Sequence, residues 1–262
     1  MRAMSGVRSA MRRTPPGRSV AVRVQSVVIP RRVTVPSAEL VICISHRGTE
    51  RLGTAEDIAR ARTQFGREGY LKLPRFVEPR LLAQLLDAVD RAEYYERTHH
   101  GIGVELCAHP GVLTGTLELV CNDSELYTAI ADLTACGHIG CFEGRVYRLA
   151  PSAGHYDSWH SDVGQDRQIA LSINLSRQPF DGGLLQIRKA NSEDILSEVA
   201  NPVPGDAVIF RVHPDYCHRV GSVTGSHSRT VWAGWFRSAP EFAELRRQSS
   251  IVNAPSHRTE HD

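Results

Sequence analysis

The chain has 262 residues, 41% of them hydrophobic and 23% charged, which is enough for one sizeable core and fits a soluble globular domain with or without extensions. Its longest apolar stretches, AVRVQSVVIP and AELVICI, fall well short of the roughly 20 residues that a membrane-crossing helix needs. The opening residues scatter arginines with no apolar segment after them, unlike an export signal, and the six cysteines lack the density of a secreted disulfide framework. A cytoplasmic protein is therefore expected.

The formal net charge of +2 hides an asymmetry. Residues 1–36 hold eight arginines and no acidic residue, leaving 23 basic against 29 acidic residues in 37–262. A basic arm could meet nucleic acid or an anionic surface, but this one has no aromatic residue to stack on a base and no lysine. Nucleic acid is not the expected partner. Residues 1–50 read as a basic, disordered N-terminal extension.

In chain order, VPSAELVICISHRGTE suggests a short strand. Thr54, with Asp57 three residues on, caps a helix over AEDIARARTQFGREG. Gly69 to Pro74 reads as a strand. Pro79 opens a helix over RLLAQLLDAVDRAEYYERT, with Leu81, Leu82, Leu85, Leu86 and Val89 on one stripe. Residues 99–123 are Gly-rich and ambiguous, and SELYTAIADLTACGH gives another helix. From Cys141 the pattern turns to strands: FEGRVYRLA, RQIALSINLS, GLLQIRKA, DAVIFRV and RTVWAGWFRS, parted by PSAG, PFDGG, PVPGD and VTGSHS. The expected fold is mainly β with N-terminal helices: a double-stranded β-helix (jelly-roll) core over about residues 141–238, buttressed by helices, in a domain spanning 51–240. The tail, 241–262, adds a helical turn or two before a disordered end.

The chemistry concentrates in a few side chains. In an extended Trp-His-Ser-Asp segment, His160 and Asp162 point to one face, and His218 follows DAVIFRV by a short loop. Two His and one Asp on one side of a metal, with the other positions open, suit an iron(II) oxygenase. A bare His-x-Asp, taken alone, is a surface or structural pair. Cys107, His109, Cys136, His138 and Cys141 could in principle supply zinc ligands, but their spacing matches no usual zinc motif, and buried cysteine as small apolar filler is the simpler reading. Arg229, eleven residues after His218, lies on the strand face shared by Val231, Ala233 and Trp235. Pointing into a barrel it requires an anion, and a dicarboxylate supplies one; otherwise it sits at the rim beside an Asp.

The ordered set Gly-Tyr-Leu-Lys-Leu-Pro, Arg-Val-Tyr-Arg, His160-x-Asp162, Asp181-Gly-Gly-Leu-Leu, Pro204-Gly-Asp-Ala-Val-Ile-Phe, His218-x-Val and Arg229 with Trp-Ala-Gly-Trp-Phe resembles the 2-oxoglutarate- and iron(II)-dependent oxygenases. The likeness spans about residues 56–238 and is greatest to the branch similar to prolyl 4-hydroxylases. The resemblance implies that His160, Asp162 and His218 hold Fe(II), and that Arg229 binds the distal carboxylate of 2-oxoglutarate. Tyr147, or else Tyr156, would assist that carboxylate, and ascorbate would serve as reductant. The activity implied is hydroxylation of an unactivated carbon in a small molecule, amino acid or peptide, with dioxygen consumed and succinate and CO2 released. The alternative is a catalytically silent jelly-roll sensor that keeps the metal.

Arg229 stands one position further from His218 than in many relatives, with His227 in the intervening loop expected to face solvent. The paired arginines of the nucleic-acid demethylases are missing. Asp162 stands where related halogenases have Gly or Ala, which favours hydroxylation over chlorination. Arg145, Arg148, Arg167 and Arg188 are candidate contacts for an acidic substrate but read first as solvated faces, and nothing in the sequence specifies an oligomeric state.

Overall fold

The computed structural model describes residues 41–252. It opens with a hairpin of β1 (Val41–Ser45) and β2 (Gly48–Leu52). α1 (Ala55–Glu68) starts on a closed capping box: the Thr54 hydroxyl accepts from the Asp57 N–H at 3.2 Å, and the Asp57 carboxylate accepts from the Thr54 N–H at 2.7 Å. The helix ends at left-handed Gly69. β3 (Tyr70–Leu73) follows, then α2 (Pro79–Arg91) with proline in its first turn and Leu81, Leu85 and Val89 buried on one stripe.

Three expectations change here. The helix expected to reach residue 98 stops at Arg91, where the apolar stripe runs out, and Ala92 turns extended. The Tyr-Tyr and Thr that follow suit a strand, and β4 (Tyr94–His99) pairs along its length with β5 (Gly103–Ala108). The ambiguous stretch 99–123 is therefore β5 plus α3 (Val112–Cys121). The hairpin β1–β2 lies in the stretch read as a disordered extension, yet Ile42 and Ile44 are fully buried; Ile44 is tied to the β3–α2 connection by backbone bonds to Phe76 and Glu78. Residues 1–40 and the last ten lie outside the described residues, so the reading of those ends does too.

α4 (Ser124–Thr134) precedes a run of strands: β6 (Cys141–Leu149), β7 (Tyr156–Asp157), β8 (Arg167–Asn174), β9 (Asp181–Gly182), β10 (Leu185–Lys189), β11 (Ile195–Val199), β12 (Ala207–Arg211), β13 (Tyr216–Val220), β14 (Val223–Thr224) and β15 (Arg229–Arg237). α5 (Phe242–Val252) ends the described part. No described helix is long and apolar enough to cross a membrane.

The larger sheet runs β3-β12-β8-β15-β6-β5-β4 with β7 beside β5; the smaller runs β11-β10-β13, and β14 pairs with β9. All these strand pairs are antiparallel. This is the expected helix-buttressed jelly roll. Alternation sorts the larger sheet into two faces. Phe142, Val146, Ile169, Leu171, Ile209, Trp232 and Phe236 face the helices and build the main core with Phe65, Leu81, Leu117 and Ile130. On the other face, Tyr147, Val231 and Ala233 form one cluster, while Ala170, Val208 and Phe210 meet Leu185, Ile187 and Val199 of the smaller sheet in another. The space between the two sheets is the site.

Candidate functional site

His218, expected to follow the strand DAVIFRV by a short loop, stands in the middle of a further strand, β13. His160 is joined to it by an isolated antiparallel bridge in which each histidine N–H donates to the other's carbonyl, at 3.0 and 2.9 Å. That double bond sets the two rings 4.4 Å apart between centroids. Asp162 follows two residues on, its carboxylate oxygens 3.6 Å from His160 Nε2 and 3.3 Å from His218 Nε2. One ligand atom from each of the three lies within 4.8 Å of the others. The structure thus brings His160, Asp162 and His218 together. Among the described residues theirs is the one such His/Cys/Asp/Glu group. The cysteines and histidines weighed for zinc are not brought together: His109 stacks on Tyr95, His138 meets Glu241, and Cys107 donates to Glu105.

The donor set fits a metal. His160 Nδ1 donates to the Ser158 carbonyl at 2.7 Å, which leaves the Nε2 lone pair of a neutral imidazole turned to Asp162. Asp157 Oδ1 lies 3.3 Å from the same Nδ1, and its other oxygen accepts from the Val220 N–H; burial pushes the Asp157 carboxyl above the usual carboxylate range despite the two nearby imidazoles. Trp235 Nε1 donates to Asp162 Oδ2 at 2.7 Å. Burial acts to raise the Asp162 pKa, but the bond from His218 and its charge, with Trp235 and His160, outweigh it and hold the pKa at about 2. The group is poised as an anionic ligand. Two imidazoles and one carboxylate on one side of an ion match the facial arrangement of non-haem iron(II) sites.

The triad opens into a cavity of about 550 Å³ between the sheets. Arg229 lines the same cavity, 5% exposed. Its Nη1 donates to the Tyr147 hydroxyl at 3.2 Å, its Nη2 reaches Ser172 Oγ at 3.5 Å, and it makes no ion pair with a described carboxylate. The rim position beside an Asp is excluded. Tyr147 is buried with it, and burial raises the phenol pKa against the pull of Arg229. Tyr156, the alternative, is half-exposed. His227 is exposed, as expected. Gly183 has φ +62, and a Cβ there would come 2.7 Å from Arg229 Cδ, so only glycine leaves room for the guanidinium stem.

The four arginines read as solvated faces are not free in water. Arg145 Nε donates to the buried Glu105 at 2.6 Å. Arg148 stacks on Tyr94 and bonds Thr230, Arg188 stacks on Trp159, and Arg167 lies 3.7 Å from the centroid of Trp235. Each stem is buried along an aromatic or paired with a strand neighbour, contacts across sequence that no local pattern reveals. Ser172, Trp235 as a donor to Asp162, and the Glu105–Arg145 pair were not foreseen. Alternation did put Trp235 on the Arg229 face, which is the one signal that pointed to it.

Residues 144–237 match the family model described as "2OG-Fe(II) oxygenase superfamily". Among curated proteins no sequence gives a significant match. Solved structures share the fold. A Pseudomonas putida prolyl-4-hydroxylase is 22% identical over 70% of this chain and 100% of its own, with a TM-score of 0.52. A Burkholderia pseudomallei oxidoreductase of the 2OG-Fe(II) oxygenase family is 17% identical over 70% and 91%, TM-score 0.53. The non-haem α-ketoglutarate-dependent epimerase SnoN of nogalamycin biosynthesis is 12% identical over 71% and 85%, TM-score 0.54. The matched segment begins on the strand of Tyr147, contains His160, Asp162, His218 and Arg229, and ends with β15. Over that segment the chain is similar to the 2OG-Fe(II) oxygenase superfamily, enzymes that use Fe(II) and 2-oxoglutarate.

Proposed function

We propose that the protein is an Fe(II)- and 2-oxoglutarate-dependent dioxygenase that hydroxylates an unactivated carbon of a small molecule, amino acid or peptide. In this reading the oxygenase domain spans residues 51–240, with the hairpin before it attached, and works in the cytoplasm. One observation carries it: a facial two-His, one-Asp set shares a cavity with a buried arginine that has no carboxylate partner among the described residues.

His160, Asp162 and His218 would hold the metal. Bound iron with 2-oxoglutarate supplies oxidative decarboxylation coupled to dioxygen reduction, one oxygen atom entering succinate as CO2 leaves and the other replacing a C–H bond with C–OH. The protein's part is orientation. The guanidinium of Arg229 and the hydroxyls of Tyr147 and Ser172 offer converging donors to the distal carboxylate of the cosubstrate. Trp235 holds one oxygen of Asp162, and the His160–His218 bridge fixes the two imidazoles against each other. Leu185, Val208, Phe210 and Val220 give the cavity an apolar stretch of wall. With a carboxylate at 162, where related halogenases have Gly or Ala, the product would gain oxygen and not chlorine.

The test is succinate release by protein given Fe(II), 2-oxoglutarate and labelled dioxygen in excess chloride. Release that depends on both additions, with one labelled oxygen in the product, is expected. His160→Ala and His218→Ala should abolish metal retention and turnover while the Tm stays within a few degrees, since the backbone bridge does not need the rings. Retained metal and activity in both variants would overturn the ligand assignment, and a chlorinated product would overturn the argument from Asp162.

A further inference from the structure

We propose that the substrate carries a carboxylate, received by Arg167 on the cavity wall beside Asp162. The inference rests on the oxygenase reading above and names what that site accepts.

Four arginines line the cavity. Arg145 is neutralised internally, both its Nε and Nη2 donating to Glu105 at 2.6 and 3.3 Å. Arg229 faces Tyr147 and Ser172 in the part of the cavity assigned to 2-oxoglutarate. Arg97 is exposed. Arg167 differs from all three. Its side chain is 23% exposed, yet its Nε is buried without a hydrogen-bond partner. Its Nη2 donates to the Gln165 amide oxygen at 3.0 Å, and Asp162 Oδ1, 3.9 Å from Nη1, is within ion-pair reach but too far for a hydrogen bond. The other oxygen of Asp162 is already taken by Trp235.

A guanidinium stacked by its face on Trp235, with donors left over at its edge, is set up for a planar oxyanion. Its one ion pair among the described residues, to Asp162 at 3.9 Å, is long and shared with the two histidines, and an arriving anion would match the partly buried cation more closely. At 3.9 Å from Asp162, Arg167 would anchor the carboxylate end of a substrate on the triad's side of the cavity. The carbon presented for hydroxylation then lies a few bonds from that carboxylate. This separates Arg167 from a residue that merely steadies Asp162.

The experiment uses the full chain loaded anaerobically with Fe(II) and 2-oxoglutarate, probed with free amino acids and with tripeptides, each beside its primary amide. Binding is read as a rise in Tm and turnover as succinate release once air is admitted. At least one acid is expected to act at a concentration about tenfold or more below its amide, the scale of one charge-assisted contact. Activity among the amino acids or among the tripeptides tells a free amino acid from a peptide C-terminus. In Arg167→Gln the acid–amide ratio should collapse to about twofold or less, with Arg167→Lys between the two. Amides that equal their acids overturn the proposal, as does an Arg167→Gln protein that keeps the full acid preference. So does silence from every acid in a protein that still binds both additions and slowly releases succinate unprompted. Failure to bind Fe(II) or 2-oxoglutarate at all would instead take down the oxygenase reading beneath it.

Discussion

A guanidinium 5% exposed, bonded to two hydroxyls and ion-paired to no carboxylate among the described residues, is an incomplete electrostatic arrangement. The missing partner is what gives Arg229 its meaning, since a cation this deep is held in place only when an anion meets it during function. Lysine at the same position would keep the charge but lose the planar fork and the reach to two hydroxyls at once. Arg229→Lys should weaken 2-oxoglutarate binding by about 1.5–3 kcal/mol, the worth of a hydrogen bond to a charged group. Titration of the metal-loaded protein with 2-oxoglutarate reads this directly. An unchanged affinity would move the carboxylate contact to another residue, while metal affinity should hold in either case.

At the scale of elements, the site depends on how β9 turns into β10. Gly183 sits there with φ +62, and its missing side chain is the space through which the Arg229 stem passes. Gly183→Ala asks a side chain to adopt a left-handed backbone, costing about 1–2 kcal/mol, and also pushes on Arg229. The expected result is a lower Tm and a 2-oxoglutarate affinity reduced at least several-fold, with Co(II) affinity of the triad unaltered; equal losses of both ligands would point to collapse of the whole site. The Asp-Gly-Gly run that marks this turn is visible in the sequence, as are the Thr54–Asp57 cap and the leucine stripe of α2, because each is written within a few residues. The end of α2 and the strand nature of β13 are not, for their causes are distant. β4 exists because β5 pairs with it, and β13 because β10 and His160 do. The triad could be named from order and residue type, but the partners of Arg145 and Arg167 lie on other strands, where local pattern carries no information.

Across the whole molecule, the sheet divides its labour by face: apolar residues lock one side to the helices, and the other side carries charge into a cavity. Such a cavity wall is stable only while its charges are matched, and Glu105 is the clearest case. It is 6% exposed on β5 and accepts from Arg145 on β6, with His99 Nε2 3.0 Å away and the Cys107 thiol beside it. Burial raises its pKa, but Arg145, His99 and Cys107 together more than reverse this, so the folded carboxyl titrates below the usual glutamate range. Because its folded pKa is the lower one, the unfolded chain takes up this proton first on acidification. The pair's contribution is therefore complete above the unfolded value of about 4.3 and disappears as pH falls through the folded one. Glu105→Gln should cost about 2 kcal/mol at neutral pH, less than a fully buried pair because Arg145 keeps 27% of its side chain in water. Thermal melts of both proteins from pH 7 down to 3 decide the matter: the Tm gap should hold steady to about pH 5 and then narrow. A gap that stays constant throughout would mean that Glu105 stabilises through packing alone, and one that widens in acid would reverse the direction of its pKa shift.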